Sequence, residues 1–300
     1  MRHLQDFDMV EAIIRAGSIR KAAEDMNITA SALNRRINRF EEELGYEIFE
    51  RLPRGVRLNP AGELVLHHIR AQRSDFARLQ SQVADLSGVR RGHVSIACSQ
   101  ALLPYFMPDQ IARYRAEHRG VTFSVKTRDR VEAEHDLSTF ASDIALVFEP
   151  QHMVDFEVVV QIQQPVHVVM RADNPLASQT EIRLRDCLEQ AYVAPSPRYG
   201  ARVLLDAAAR KTTYRTIEPV VESESFDFMR HYVLHENAIA FQFPIGLKMV
   251  GARGYVARPL STRDVAPGNL FLGQLRGRIL PVASGRFLQQ LATALQAHAL

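Results

Sequence analysis

The sequence predicts an α/β chain in three parts: an N-terminal winged helix-turn-helix, one long helix, and a bilobed α/β module. Residues 17–41 form two short amphipathic stretches joined at Asn27. Residues 65–86 repeat side chains at alternating four and three spacing, and beyond residue 92 short apolar runs alternate with helical periodicity. The first pattern is that of paired short helices, the second that of a seam along one long helix, and the third that of strand–helix units.

In the first stretch Ser18 is placed to cap a helix opening at Ile19, with Ala22, Ala23 and Met26 on one face. Asn27 suits the turn because it tolerates left-handed backbone. Thr29 or Ser31 offers a hydroxyl to cap the second helix. Leu33, Ile37 and Phe40 keep helical spacing and must face inward, which leaves Ala30, Ser31, Asn34, Arg35 and Asn38 outside. Such a polar face is either solvated or a major-groove reader, in which Asn pairs with adenine and Arg with guanine.

Residues 46–58 read as strand, turn and strand, with Pro53 and Gly55 in the turn. This is a wing, and Arg51, Arg54 and Arg57 are placed to touch phosphates or a narrow minor groove. The acids Glu41, Glu42, Glu43 and Glu50 keep the first sixty residues nearly neutral, so the basic charge is arranged rather than bulk.

Asn59 caps a helix that Pro60 begins. Val65, Ile69, Gln72, Phe76, Leu79, Val83 and Leu86 then form a heptad seam with one polar break, on a helix of about 42 Å. So narrow a stripe is expected to pair with a second copy of itself, and Gln72 to fix the register. Residues 87–92, bracketed by Gly88 and Gly92, read as a hinge.

Strands are expected at 94–98, 121–126, 143–148, 166–170, 191–194, 219–222, 239–243 and 269–275. Helices are expected at 102–118, 131–140, 184–190, 201–211 and 226–236, from 245 onward, and at 286–297. Strand–helix alternation predicts parallel sheets with right-handed crossovers. The chain is expected to pass between lobes near 163–165 and to return near 264–266, as in modules of periplasmic-binding-protein type. The expected parts are residues 1–58 for the winged helix-turn-helix, 59–88 for the linker helix, 92–162 plus 266–300 for lobe I, and 163–265 for lobe II.

Phe7, Gly17-Ser18, Ala22-Ala23, Ala32-Leu33, Arg35, Ile37, Leu44-Gly45, Phe49-Glu50-Arg51, Arg54, Leu58 and Ala61-Gly62-Glu63 stand in one gap-free register. In these residues the segment resembles the N-terminal domain of LysR-type transcriptional regulators. Two departures stand out: Ala30-Ser31 where that family usually has Gln-Pro, and Asn34-Arg35-Arg36 where it usually has Ser-Arg-Gln. The missing Gln removes a base contact, so the operator half-site is expected to differ.

The resemblance implies a homodimer to homotetramer on double-stranded DNA, with a small-molecule effector in the cleft between lobes modulating promoter binding. It also implies contact with RNA polymerase. Ligands in open α/β sheets bind beyond the carboxyl ends of strands, which singles out Ser99 and Gln100, Arg128, Phe148 and Glu149, Ser196, Arg198 and Tyr199, and Phe226. Ser99, where the family commonly places an effector-contacting Ser or Thr, begins a helix whose amides favour an anionic group. The site's charge stays open. Arg128 and Arg198 suit a carboxylate, the family's commonest effector class, whereas Glu149 repels an acid unless paired. Phe148, Tyr199 and Phe226 suit a flat ligand.

Other chemistry finds little footing. The only cysteines, Cys98 and Cys187, form no CxxC pair, which leaves a redox sensor built on Cys98 without a visible partner. His67-His68 and the i, i+4 pair His231 and His235 lack further ligands with zinc spacing. With no phosphate loop and no nucleophile elbow, no enzyme, metal or cofactor is expected. A chain of 300 residues that is 46% hydrophobic, with formal charge +3, no long apolar run and no signal peptide, is expected to be cytoplasmic with no membrane partner. The same absence of a signal peptide, with the wing arginines, argues against a solute-binding protein carrying an N-terminal extension.

Overall fold

The computed structural model describes residues 2–53, 55–86, 91–212, 216–247 and 254–298. Compact units form over Met1–Gln80 and Ser81–Leu300. Arg54 and the hinge residues 87–90 lie outside the described residues.

The first unit opens with α1 (Arg2–Ala16), which the sequence reading did not identify. Helices α2 (Ile19–Asp25) and α3 (Ala30–Leu44) follow, with Asn27 at φ 56° in the turn as expected. Thr29 caps α3 by accepting from Ala32 N at 3.2 Å. Ser18 stands at the N-cap of α2 with extended backbone, yet its side chain makes no capping hydrogen bond. Met9, Ile13, Ala22, Leu33, Ile37 and Phe40 close a core among these helices. Asp6 of α1 is buried in that unit because Arg36 Nε donates to its Oδ1 at 2.8 Å.

Strands β1 (Phe49–Leu52) and β2 (Gly55–Leu58) pair antiparallel as the wing. The wing is anchored at its base by Val56 N donating to Gly17 O at 3.1 Å. A Cβ on Gly55 would lie 2.3 Å from that carbonyl oxygen, so only glycine fits. Next comes α4 (Pro60–Leu86), whose first turn is capped by Asn59 Oδ1 accepting from Gly62 N at 2.8 Å.

The heptad seam of α4 divides in use. Val65 and Ile69 pack into the core of the first unit, so that unit takes the first part of the stripe. Phe76, Leu79 and Val83 are 42, 53 and 55% exposed.

The second unit holds a five-stranded sheet in each lobe. Lobe I contains β3 (Arg91–Cys98), α5 (Phe106–Glu117), β4 (Gly120–Thr127), α6 (Arg130–Ser138), β5 (Ile144–Phe148) and β6 (Phe156–Gln164). Lobe II contains β7 (His167–Arg171), α7 (Leu184–Leu188), β8 (Tyr192–Pro195), α8 (Gly200–Thr212), β9 (Val221–Ser223), α9 (Phe226–His235), β10 (Ile239–Gln242) and β11 (Tyr255–Pro259). The chain returns to lobe I as β12 (Gly268–Leu275) and α10 (Val282–Gln296). The sheet orders are β4-β3-β5-β12-β6 and β11-β7-β10-β8-β9.

Both faces of the lobe I sheet are covered, and its strands show why. Ile96, Cys98, Ile144 and Leu146 belong to one apolar cluster, whereas Ala97, Ala145 and Val147 join Ala133 and Leu137 of α6 in another. Successive residues of a strand point to opposite faces, so a strand apolar throughout serves two cores.

Several expectations need correction. The sheets are mixed: β12 runs antiparallel to β5 and β6, and β7 antiparallel to β10 and β11. The helix expected over 102–118 is a 3₁₀ turn at Gln100–Leu102 followed by α5, because Pro104 has no N–H to continue the ladder. Strands β6 and β11 were not anticipated. Only a 3₁₀ turn, Pro244–Gly246, stands where a helix from 245 was expected, and residues 248–253 lie outside the described residues.

Candidate functional site

The polar face of α3 is built as its spacing requires. With Leu33, Ile37 and Phe40 buried, Ala30, Ser31, Arg35 and Asn38 are exposed and Asn34 is half-buried. Arg35 makes no ion pair or hydrogen bond among the described residues. Thr29 and Ser31 share a hydroxyl contact of 3.2 Å at the start of the helix.

The wing arginines are not equivalent. Arg57 Nε donates to Glu50 Oε2 at 2.8 Å, and that bond holds the Glu50 carboxyl below its ordinary value. Arg51, adjacent on β1, reaches α3 and donates to the side chains of Asn34 and Asn38. Among the expected DNA contacts, the structure thus brings Ser31, Asn34, Arg35, Asn38 and Arg51 to one surface. Arg54 is the candidate outside the described residues.

In the second unit the expected effector residues gather where the lobes meet. Ser99 follows β3, and its Oγ accepts from Ala101 N at 3.4 Å, the first turn that was expected to hold an anion. That turn is a three-residue 3₁₀ segment, so its helix-end field is weak. Gln100 Oε1 accepts from Phe226 N at 2.8 Å, joining the end of β3 to the start of α9. Gln100 Nε2 is buried and makes no hydrogen bond of good geometry among the described residues, although it lies near enough to the Tyr199 hydroxyl to act on it.

Tyr199 lies 6.2 Å from Phe226 between ring centroids. Burial pushes its phenol up, the charges of Glu224 and Asp129 add to that, and the Gln100 amide opposes it. Ser196 is buried beside them, with its N–H given to Ser223 O at 3.1 Å. Arg198 is exposed and forms no ion pair among the described residues.

Three expected ligand contacts are otherwise engaged. Arg128 Nε donates to Asp136 Oδ2 at 3.0 Å and its Nη1 to Thr127 O at 3.3 Å, so its charge is already paired. Glu149, at φ 50°, accepts from Asn269 N at 2.6 Å and Asn269 Nδ2 at 3.0 Å, which binds the end of β5 to β12. Phe148 stacks on Phe243 with centroids 3.7 Å apart and an interplanar angle of 7°. Of these, only the Phe148–Phe243 stack crosses between lobes; the bonds of Arg128 and Glu149 lie within lobe I.

Sequence reasoning missed the partners that complete this contact. Arg230 of α9 is buried, with its guanidinium 5.7 Å over the Tyr105 ring and Nη1 3.4 Å from Gly246 O. A Cβ on Gly246 would lie 2.4 Å from Ala101 O, so that backbone approach between lobes needs glycine. No local pattern announces such pairs, because each joins residues distant in sequence.

Cys98 and Cys187 are both buried, and burial pushes both thiols up. The structure therefore gives no support to a sensor built on Cys98. Among the described residues no group of His, Cys, Asp and Glu is placed to hold a metal ion, and no helix is long and apolar enough to cross a membrane.

Residues 4–63 match the family model of a bacterial regulatory helix-turn-helix protein of the lysR family, and residues 87–296 match that of the LysR substrate binding domain. A RuBisCO operon transcriptional regulator of Allochromatium vinosum is 28% identical over 203 residues, 68% of this chain and 67% of that protein. Full-length CbnR complexed with its target DNA superposes with TM-score 0.65 at 15% identity, covering 97% of this chain and 99% of that one. The CcmR regulatory domain of Synechocystis, in complex with 2-PG, superposes with TM-score 0.62 at 19% identity over 70% of this chain and 100% of that one. At these identities the two structural likenesses are likenesses of fold.

Proposed function

We propose, from the premise that the chain belongs to the LysR family of bacterial helix-turn-helix regulators, how its parts divide the work of regulation. The protein is a DNA-binding transcriptional regulator whose promoter binding responds to a small molecule held between the two lobes. The observation that carries the DNA half is the exposed face of α3, with Arg35 unengaged at its centre and the wing beside it. Ser31, Asn34, Arg35 and Asn38 enter the major groove with Arg51 beside Asn34 and Asn38, while Ser18, Thr29, Ala30 and Arg54 contact or approach the backbone.

The effector half rests on the groups gathered at the lobe junction: Ser99, Gln100 with its Nε2 facing Tyr199, Ser196, Arg198, Tyr199 and Phe226. A small organic acid suits them through Arg198, since Arg128 is spent on Asp136. The effector binds one arrangement of the lobes better than the other and shifts their population. Phe76, Leu79 and Val83 form the seam of a homodimer, and two dimers make a tetramer that spaces the reading heads along DNA. The parts meet at the limits 1–58, 59–88, 92–162 plus 266–300, and 163–265. The protein works in the cytoplasm, contacts RNA polymerase and carries no catalytic activity.

The test is a gel-shift titration of the full chain on double-stranded DNA selected from a random pool. Arg35→Ala costs about 1–3 kcal/mol of specific affinity and relaxes preference at one base pair. Unchanged affinity and preference would remove α3 from the reading role.

A further inference from the structure

Asn34 and Asn38 stand four residues apart on α3, one above the other on its outer face. Arg51 Nη2 donates to Oδ1 of Asn34 at 3.3 Å and to Oδ1 of Asn38 at 3.2 Å. A guanidinium carries donors only, so the atom each amide turns toward it must be the oxygen. The usual ambiguity between amide oxygen and nitrogen is removed by chemistry at both positions. Glu50, next along the strand, is engaged by Arg57 and does not draw Arg51 away.

The consequence lies in what the two amides still offer. Neither Nδ2 makes a hydrogen bond among the described residues, and neither is a buried orphan. Reading adenine takes both halves of an Asn amide at once, accepting from N6 and donating to N7. Each oxygen keeps one lone pair, but that end of the amide is drawn to Arg51, and the groups left wholly unengaged for the groove are the Nδ2 donors. Their complements in the major groove are acceptors: guanine N7 and O6, or thymine O4.

We propose that Arg51 is a specificity-positioning residue, which holds Asn34 and Asn38 so that the recognition helix reads guanine or thymine rather than adenine at the base pairs they face. The proposal rests on the DNA-binding role given above. It assigns to Arg51 an action through two other side chains, distinct from the phosphate contact its place in the wing first indicates.

The experiment is selection of binding sites from random double-stranded DNA by the full chain, wild type and variants, with affinities then measured over a range of salt. Asn34→Ala and Asn38→Ala identify the base pairs each residue reads, by loss of preference there. Wild type is expected to select guanine or thymine at those pairs. Arg51→Met is expected to move the preference toward adenine by about tenfold, with other pairs unchanged. Arg51→Lys, which likewise carries donors only, is expected to keep guanine or thymine at those pairs, and a shift to adenine in it as well would contradict the donor argument. Selection of adenine by wild type would overturn the proposal. So would uniform weakening on all sequences with a salt slope lower by about one, the mark of a lost phosphate contact. Failure of wild type to select any sequence would overturn the DNA-binding role itself, a result separate from both.

Discussion

Gln100 Oε1 accepts the backbone N–H of Phe226 at 2.8 Å, so a side chain at the end of β3 in one lobe satisfies the first turn of α9 in the other. The first N–H groups of a helix have no partner within it. Ser225 caps the same turn by accepting from Phe228 N at 3.1 Å. Together with the Phe148–Phe243 stack, this bond holds the lobes in contact. An effector that engages Gln100 therefore acts on the contact directly.

Gln100→Ala is expected to free the Phe226 N–H. A net loss of about 1 kcal/mol for one hydrogen bond corresponds to roughly fivefold faster exchange of that amide in native-state hydrogen exchange. Unchanged exchange at Phe226 would place the hold between lobes on the other contacts, the Phe148–Phe243 stack and Arg230 over Tyr105.

Phe76→Lys or Leu79→Lys is expected to dissociate the proposed dimer, since each puts a charge into a stripe whose apolar residues are exposed in the single chain. Light scattering reads the mass. A variant with the wild-type mass would move the seam off α4.

Asp143, just before β5, ties together three other segments of lobe I: β3, the turn after β12, and α10. Its Oδ1 takes Arg278 Nη2 at 2.6 Å, and its Oδ2 takes Ser95 N at 3.1 Å and Ser284 Oγ at 2.9 Å. Asp143→Ala removes the carboxylate that faces the buried Arg278 guanidinium, leaving it Ser142 O and the Phe140 ring, and is expected to cost about 3–5 kcal/mol in denaturant unfolding. A loss below about 1 kcal/mol would show that Arg278 finds water instead.

Cys98 is expected to resist alkylation in the native protein. Burial pushes its thiol up, so at neutral and mildly alkaline pH it stays protonated, and the thiolate is the reactive form. Iodoacetamide should label Cys98 only after unfolding. Stoichiometric labelling of the native chain would reopen the redox reading.

Which features were legible in the sequence follows from the range over which each is determined. The turn at Asn27, the Thr29 and Asn59 caps and the inward positions of α3 are local, and all stand where the spacing put them. Helix α1 went unread because Asp6 and Asp8 interrupt its apolar pattern, and Asp6 is tolerated inside only through Arg36, 30 residues away. Arg128 and Glu149 looked free because their partners are set by the fold: Asp136 on the last turn of the helix that follows, and Asn269 120 residues on. Periodicity marked the α4 stripe without showing that Val65 and Ile69 are already used by the first unit. Strand β6 lies at a sheet edge with Val158 and Val159 exposed, so neither alternation nor a continuous apolar run announced it.

The central claim is that occupancy of the lobe junction changes DNA binding by the same chain. A thermal-shift screen of small metabolites, organic acids foremost, identifies a ligand by the stabilisation its binding adds. DNA affinity of the full chain is then measured with and without that ligand, in wild type and in Ser99→Leu, whose larger side chain fills the site. The expected result is a change of about 5- to 150-fold in affinity for the selected DNA in wild type, and none in Ser99→Leu, which still binds DNA. A ligand that stabilises wild type through Ser99 yet leaves both affinity and footprint on DNA unchanged would contradict the coupling.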